Sequence, residues 1–104
     1  MRFKELIQGL DEKPGVYFML GKQDKYLYIG KAKNLKKRLS QYFASTPMHR
    51  RTQRMLSYVV DVQVMITQSE SAALLLESEL IKKHQPPYNI LFINIIFQIK
   101  IKKE

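Results

Sequence analysis

Gly15-Val16-Tyr17-Phe18-Met19-Leu20 and Tyr26-Leu27-Tyr28-Ile29-Gly30, joined by a polar stretch that begins at Gly21, decide how this chain folds. Pro14-Gly15 punctuates the entry to the first run, and both runs have the aromatic and branched composition of strands. So short a connection makes them a hairpin. Alternate residues of a strand share a face, so Val16, Phe18 and Leu20 form one set with Leu27 and Ile29, and Tyr17 and Met19 form the other with Tyr26 and Tyr28. For both apolar sets to meet one core, Tyr17 has to lie opposite Tyr28 or diagonal to it. A four-residue loop of Gly21, Lys22, Gln23 and Asp24 sets that register, whereas a five-residue loop puts Tyr17 opposite Ile29 and mixes the faces. The pattern therefore places two phenols side by side.

From about Asn34 the period becomes helical, with Leu35, Leu39, Tyr42 and Phe43 on one stripe, Arg38 at its edge, and Lys33, Lys36 and Lys37 facing away. Thr46 before Pro47 reads as an N-cap, and Met48, Thr52, Met55, Leu56 and Val59 continue a second helical stripe with Arg50, Arg51 and Arg54 outside it. Val62, Val64 and Ile66 alternate with polar partners as a third strand. Ser69 or Thr67 then caps a last helix that runs to about His84 and is stopped by Pro86-Pro87. The expected fold is α+β: a small antiparallel sheet of strands near 15–20, 26–30 and 62–67, in the order β-β-α-α-β-α.

With 104 residues, one domain is expected. The absence of cysteine removes disulfides, thiolate zinc sites and thiol nucleophiles, and with no apolar leader after Met1 the expected location is cytoplasmic. Charge says more. Eighteen Lys and Arg against nine Asp and Glu give +9, and the stretch from Lys22 to Arg54 holds ten basic residues but one acid, Asp24. Such a block attracts polyanions by counterion release, with nucleic acid, an anionic membrane surface or an acidic protein as candidate partners. The apolar tail is too short and too polar, with Asn94, Gln98 and Lys100, to span a bilayer, so no membrane partner is expected.

Within the last helix, Glu77 has only apolar neighbours at i±3 and i±4: Ala73, Leu74, Leu80 and Ile81. A carboxylate on a buried stripe needs a cation or donors, either a basic side chain or a metal ion. His49 and His84 have no metal-ligand spacing and read as surface residues.

Gly15-Val16-Tyr17 and Tyr28-Ile29-Gly30, on adjacent strands and followed by a helix carrying Arg38, resemble the two half-motifs of the GIY-YIG nucleases, with Val16 at the central isoleucine. Residues 30–39, 69–77 and 82–89 are similar in particular to the N-terminal nuclease domain of the UvrC family of bacterial excision-repair endonucleases, and the likeness spans roughly Pro14 to Leu91. The resemblance implies a metal-dependent DNA endonuclease that hydrolyses a phosphodiester during nucleotide excision repair. It implies one divalent ion, Mg2+ or Mn2+, on Glu77. Arg38 would bind the phosphoryl oxygens, and a tyrosine would take the proton of the attacking water. Tyr17 is favoured as that base with Tyr28 positioning water or phosphate, and the roles can be exchanged. Lys31 and Arg38 would favour the phenolate. Tyr42 would orient phosphate or simply pack, and Asn89 would orient phosphate or the other ligands. Lys33, Lys36, Lys37, Arg50, Arg51 and Arg54 are the expected DNA contacts.

Full-length relatives also bind UvrB, their partner in excision repair, through a region outside this likeness. Residues 92–104 match nothing in the family and alternate as a possible strand, so the expected organisation is a nuclease domain over 1–91 followed by an out-of-family tail after a truncation. The alternative function is a truncated, non-catalytic, basic nucleic-acid-binding module of the same fold.

Overall fold

A computed structural model of the chain describes residues 2–44 and 48–92. Its elements are α1 (Arg2–Gln8), β1 (Gly15–Leu20), β2 (Tyr26–Ala32), α2 (Leu35–Tyr42), α3 (Arg50–Tyr58), β3 (Asp61–Ile66) and α4 (Glu70–His84). A short helical segment over 87–92 follows. The three strands form an antiparallel sheet in the order β2-β1-β3, so β1 is central and every one of its residues is buried.

The α+β expectation holds, with one addition. α1 packs on α2, with Phe3 stacked on Phe43 at 5.0 Å and Ile7 in the core. Its signal is Phe3, Ile7 and Leu10 at helical spacing, a stretch too short to stand out ahead of Pro14.

The hairpin register is reached by a different route from the one expected. The loop has five residues, Gly21 to Lys25, closed by the Gly21 amide donating to the Lys25 carbonyl at 2.8 Å. Gln23 and Asp24 turn it with φ of 62° and 57°. A five-residue loop alone would mix the faces, but a bulge in β2 corrects it: Leu20 pairs with Tyr26 and Met19 with Tyr28, leaving Leu27 as the extra residue. Tyr17 then pairs with Gly30 and lies diagonal to Tyr28. The bulge also exchanges the faces of the two residues before it. Leu27 joins Tyr17 and Met19, while Tyr26 packs on Phe18 and His84, the reverse of the alternation read from the sequence.

Each face of the sheet carries its own core. Tyr17, Met19, Leu27 and Val62 meet Leu35, Leu39 and Tyr42 of α2 and Met55 of α3. Val16, Phe18, Leu20 and Ile29 meet Ala73, Leu76, Leu80 and Ile81 of α4. Burying apolar surface on both sides of a three-stranded sheet is how so short a chain gains a core.

Local signals set the helix ends. The Asn34 side chain accepts from Lys37 N at 3.0 Å, and Ser69 from Ala72 N at 3.0 Å, which settles the cap of α4 on Ser69. α4 ends at Gln85, in the left-handed region at φ 47°, just before Pro86. α3 starts later than expected: His49 is its N-cap, accepting from Arg51 N at 3.2 Å through Nδ1, while Thr46 and Pro47 lie outside the described residues. His84 is half-buried against the Tyr26 ring at 4.5 Å, not a free surface residue.

Residues 93–104, and with them the possible tail strand, lie outside the described residues. Phe92, expected to begin that tail, is helical and packs against Tyr28 and Tyr88.

Candidate active site

Tyr17 stands in the middle of β1 with 1% of its surface exposed. It pairs with Gly30, where a Cβ would collide with Cζ and the hydroxyl of Tyr17. The glycine of the second half-motif is thus what lets the phenol of the first lie across β2. Tyr28 lies on the same face, its ring 6.2 Å from that of Tyr17.

α2 supplies the next two groups, four residues apart and so one above the other. The Tyr42 hydroxyl shares a 2.8 Å hydrogen bond with that of Tyr17. The Arg38 guanidinium sits 4.8 Å over the Tyr42 ring, and its Nη2 donates to the Tyr42 hydroxyl at 3.3 Å. Nη1 donates to Gln41 Oε1 at 3.2 Å. Gln41 was not singled out in the sequence, although three residues after Arg38 is hydrogen-bonding distance on a helix. Tyr42 is thus packed in the core, one of the two readings weighed for it, and its hydroxyl links Tyr17 to Arg38.

β2 is an edge strand, and its free edge is where Glu77 and Asn89 meet it. Asn89 Oδ1 accepts from Ile29 N at 2.8 Å and its Nδ2 donates to Ile29 O at 2.8 Å. It is buried, at 6% exposure, and is committed to the strand. Glu77 is half-buried, less enclosed than its apolar neighbours suggested, because Leu74 and Leu75 on its helix are 51% and 64% exposed. Burial still holds the Glu77 carboxyl above its ordinary pKa, opposed by the Lys31 charge and the Lys31 backbone N–H. Lys31 pairs with Val16 and so belongs to the α4 face, where its charge acts on Glu77.

The phenols differ. Burial first, then Tyr42 and Tyr28, drive Tyr17 far above the usual phenol range. Tyr28 is pushed up to about 12 by burial, then by Tyr42 and by Glu77, with Arg38 pulling it down. Of the two phenols it is the one on which both the Arg38 charge and the Glu77 charge act. Arg38 loses some of its preference for charge to burial, but the surrounding phenols, Tyr17 first, hold it above its ordinary value.

Beside these groups opens a cleft of about 610 Å³ lined by Lys31, Lys33, Lys37, Arg38, Gln41 and Glu12 among others. Lys36 is half-buried and does not line it. Arg50, Arg51 and Arg54 line a separate depression along α3. Among the described residues no group of three or more His, Cys, Asp or Glu side chains could hold a metal.

The three-stranded antiparallel sheet flanked by helices, which here carries paired tyrosines, an arginine and a lone glutamate, has the fold of the GIY-YIG endonuclease domains. Residues 13–90 match the family described as the UvrC-like GIY-YIG domain, and the chain belongs to that family. It is similar to the UvrABC system protein C of Acinetobacter baumannii (strain SDF), 50% identical over 88 residues that cover 85% of this chain and 15% of that protein. The corresponding protein of Psychrobacter sp. (strain PRwf-1) is 53% identical over 90 residues, covering 86% and 15%. The chain thus spans about 15% of the length of these curated relatives. Among solved structures it resembles the GIY-YIG N-terminal endonuclease domain of UvrC from Thermotoga maritima bound to its catalytic divalent cation, magnesium. The TM-score is 0.75 at 33% identity, covering 84% of this chain and 94% of that one.

Proposed function

We propose that this chain is a divalent-metal-dependent endonuclease domain that hydrolyses a DNA phosphodiester during nucleotide excision repair, in company with UvrB where the whole protein is present. The observation that carries this reading is the packing of Tyr17, Tyr28, Tyr42 and Arg38 on one face of the sheet, on the edge strand β2, its neighbour β1 and helix α2, with Arg38 opening onto a basic cleft and both Arg38 and Glu77 within electrostatic reach of Tyr28.

A magnesium-type ion fits the donors present. Such ions keep several waters and take one or two carboxylates plus phosphate, and Glu77 offers one half-buried carboxylate. When bound, the ion supplies Lewis-acid stabilisation of charge on the leaving oxygen and lowers the pKa of nearby acids. Mg2+ and Mn2+ both suit that donor set.

Glu77 holds the ion, and the Lys31 charge favours the carboxylate it needs. Tyr28 is the base: it is only part-buried, Arg38 favours its phenolate, and it is within electrostatic reach of Glu77. This exchanges the roles favoured from the sequence. Tyr17, buried and hydrogen-bonded to Tyr42, stays protonated and fixes the phenol layer. Arg38 directs its remaining N–H donors at the phosphoryl oxygens, held by Gln41 and Tyr42. Asn89 acts through β2, as a positioning residue. Lys33 and Lys37 bind flanking phosphates without reading sequence.

The test is nicking of supercoiled DNA by the pure chain in Mg2+, Mn2+ or EDTA, with and without UvrB. Arg38→Ala and Glu77→Gln should each lower the rate by ~100-fold or more while leaving the fold intact, the first by loss of one transition-state donor and the second by loss of the residue that would hold the metal. Nicking that survives EDTA or Glu77→Gln refutes the metal role. DNA binding with no nicking under any condition assigns the chain instead to the non-catalytic nucleic-acid-binding alternative.

A further inference from the structure

The face of the sheet that carries the tyrosines also carries a surface that the proposed reaction leaves unused. Arg51, Arg54 and Tyr58 follow one another at i, i+3 and i+7 on α3, so they share one side of it. All three are exposed, Tyr58 by 55% of its surface. Opposite them stand Tyr88 and Leu91 of the helical segment over 87–92, and the five residues line an open groove of about 390 Å³. That is the size of a site for one small ligand. None of the described residues lining it is acidic.

Its place relative to the candidate active site is set by ring packing. Tyr88 lies 6.0 Å from Phe92, and Phe92 lies 5.6 Å from Tyr28, so a single ring separates the groove wall from the proposed base. At ~3.4 Å of rise per stacked nucleotide, the groove opens within about three nucleotides of a phosphate held beside Tyr28.

Two guanidiniums and two phenol rings around a pocket of this size match a particular ligand. Guanidinium forks take phosphate oxygens, and aromatic faces stack on bases. In an intact duplex the base faces are covered by their neighbours, so phosphates alone could be met. An unpaired nucleotide offers both.

We propose that the groove of Arg51, Arg54, Tyr58 and Tyr88 binds an unpaired nucleotide of a DNA strand, its base stacked on Tyr58 and its phosphate held by the two arginines. The site rests on the nuclease reading only for its distance from the scissile phosphate. It favours DNA that is locally opened over continuous duplex.

The chain contains no tryptophan, so Tyr58→Trp installs a single indole in the groove, which can be excited selectively over the tyrosines. Titrated in EDTA with a short oligo-dT, the indole should be quenched, and inorganic polyphosphate, which carries charge without bases, should leave it bright. Independently, Tyr58→Ala should weaken binding of single-stranded oligonucleotide by roughly 5- to 150-fold, the range for one base stack, and barely change duplex binding. Tyr58→Phe should keep the preference, and Arg54→Gln should lower the salt dependence for both DNAs. Equal quenching by polyphosphate, or equal loss of single-strand and duplex binding in Tyr58→Ala, would overturn the proposal and leave a merely charged surface. None of these measurements needs cleavage. Quenching by oligo-dT in a chain that never nicks would sink the nuclease reading and leave the nucleotide site standing.

Discussion

Replacing Asn89 by alanine removes the side chain that ties the segment after α4 to the backbone of β2 at Ile29. Its amide group makes two hydrogen bonds there, both 2.8 Å, across 60 residues of sequence. Asn89 is 6% exposed and Ile29 0%, so water does not already serve these groups. A typical hydrogen bond contributes ~0.5–1.5 kcal/mol net, but a buried N–H or C=O left without a partner costs ~1–3 kcal/mol. Two such groups set an upper range near 6 kcal/mol. Because β2 is an edge strand, water can enter the vacated volume, which brings the expected loss to about 2–4 kcal/mol. That is a large fraction of a small domain's ~5–15 kcal/mol, and at ~4–8 °C per kcal/mol it lowers Tm by about 8–32 °C. Urea melts followed by circular dichroism should show a lower midpoint at unchanged slope. Asn89→Asp should fare no better, since it keeps the acceptor for Ile29 N but sets a carboxylate against Ile29 O. Suppose instead that Asn89→Ala melts within ~0.5 kcal/mol of the parent chain while nicking collapses. The side chain would then be acting on phosphate or other ligands, as the sequence had suggested, and the clamp argument would fail.

Glu77→Gln should leave the metal-free protein at least as stable as the parent at pH 7, because burial raises the Glu77 pKa and so penalises its charged form above the unfolded-state value. The difference should vanish as pH falls toward ordinary carboxylate values, and Mg2+ should raise the Tm of the parent only. Destabilisation by Gln without metal would favour the ion pair with Lys31. Tyr28, pushed up to about 12, resists ionisation in the folded state, so stability should be complete below about pH 10 and decline between about 10 and 12. In the metal-loaded enzyme the log of the nicking rate should climb with pH at a slope near ~1 from neutral until the phenol, lowered by the ion, is titrated. Tyr17→Phe should keep that slope at a reduced rate, and a Tyr28→Phe protein that still shows it would rule out Tyr28 as base. Lys33→Gln and Lys37→Gln should each reduce the slope of log affinity against log salt by ~0.7–0.9 on any sequence, while Lys36→Gln, outside the cleft, should do less. Affinity indifferent to salt would make the basic block a solvated face.

The sequence by itself determined the three strands, the helices after them, the antiparallel hairpin, the start of α2 near Asn34, a cap for α4 at Ser69 or Thr67, and the family. Those signals are local: periods of 2 and 3.6, a capping side chain three residues from its amide, two tripeptides followed by a helix. It also named Tyr17, Tyr28, Arg38, Tyr42, Glu77 and Asn89; the structure joins Tyr17, Tyr42 and Arg38 by hydrogen bonds beside Tyr28, and sets Glu77 and Asn89 at the free edge of β2. What it could not supply depends on partners distant in the chain. The five-residue loop and the bulge at Leu27 compensate each other, and only strand pairing reveals a bulge; hence Tyr26 and Leu27 exchanged faces. That β2 is an edge strand follows from β3 pairing with β1, and this is why Asn89 binds backbone and the Lys31 N–H is free for Glu77. Helical spacing placed Glu77 on an apolar stripe but could not say how deeply α4 would sink into the sheet. It rests on Ala73 and leaves Leu74 and Leu75 in solvent, so Glu77 ends half-buried at the rim, where a carboxylate can meet both an ion and water.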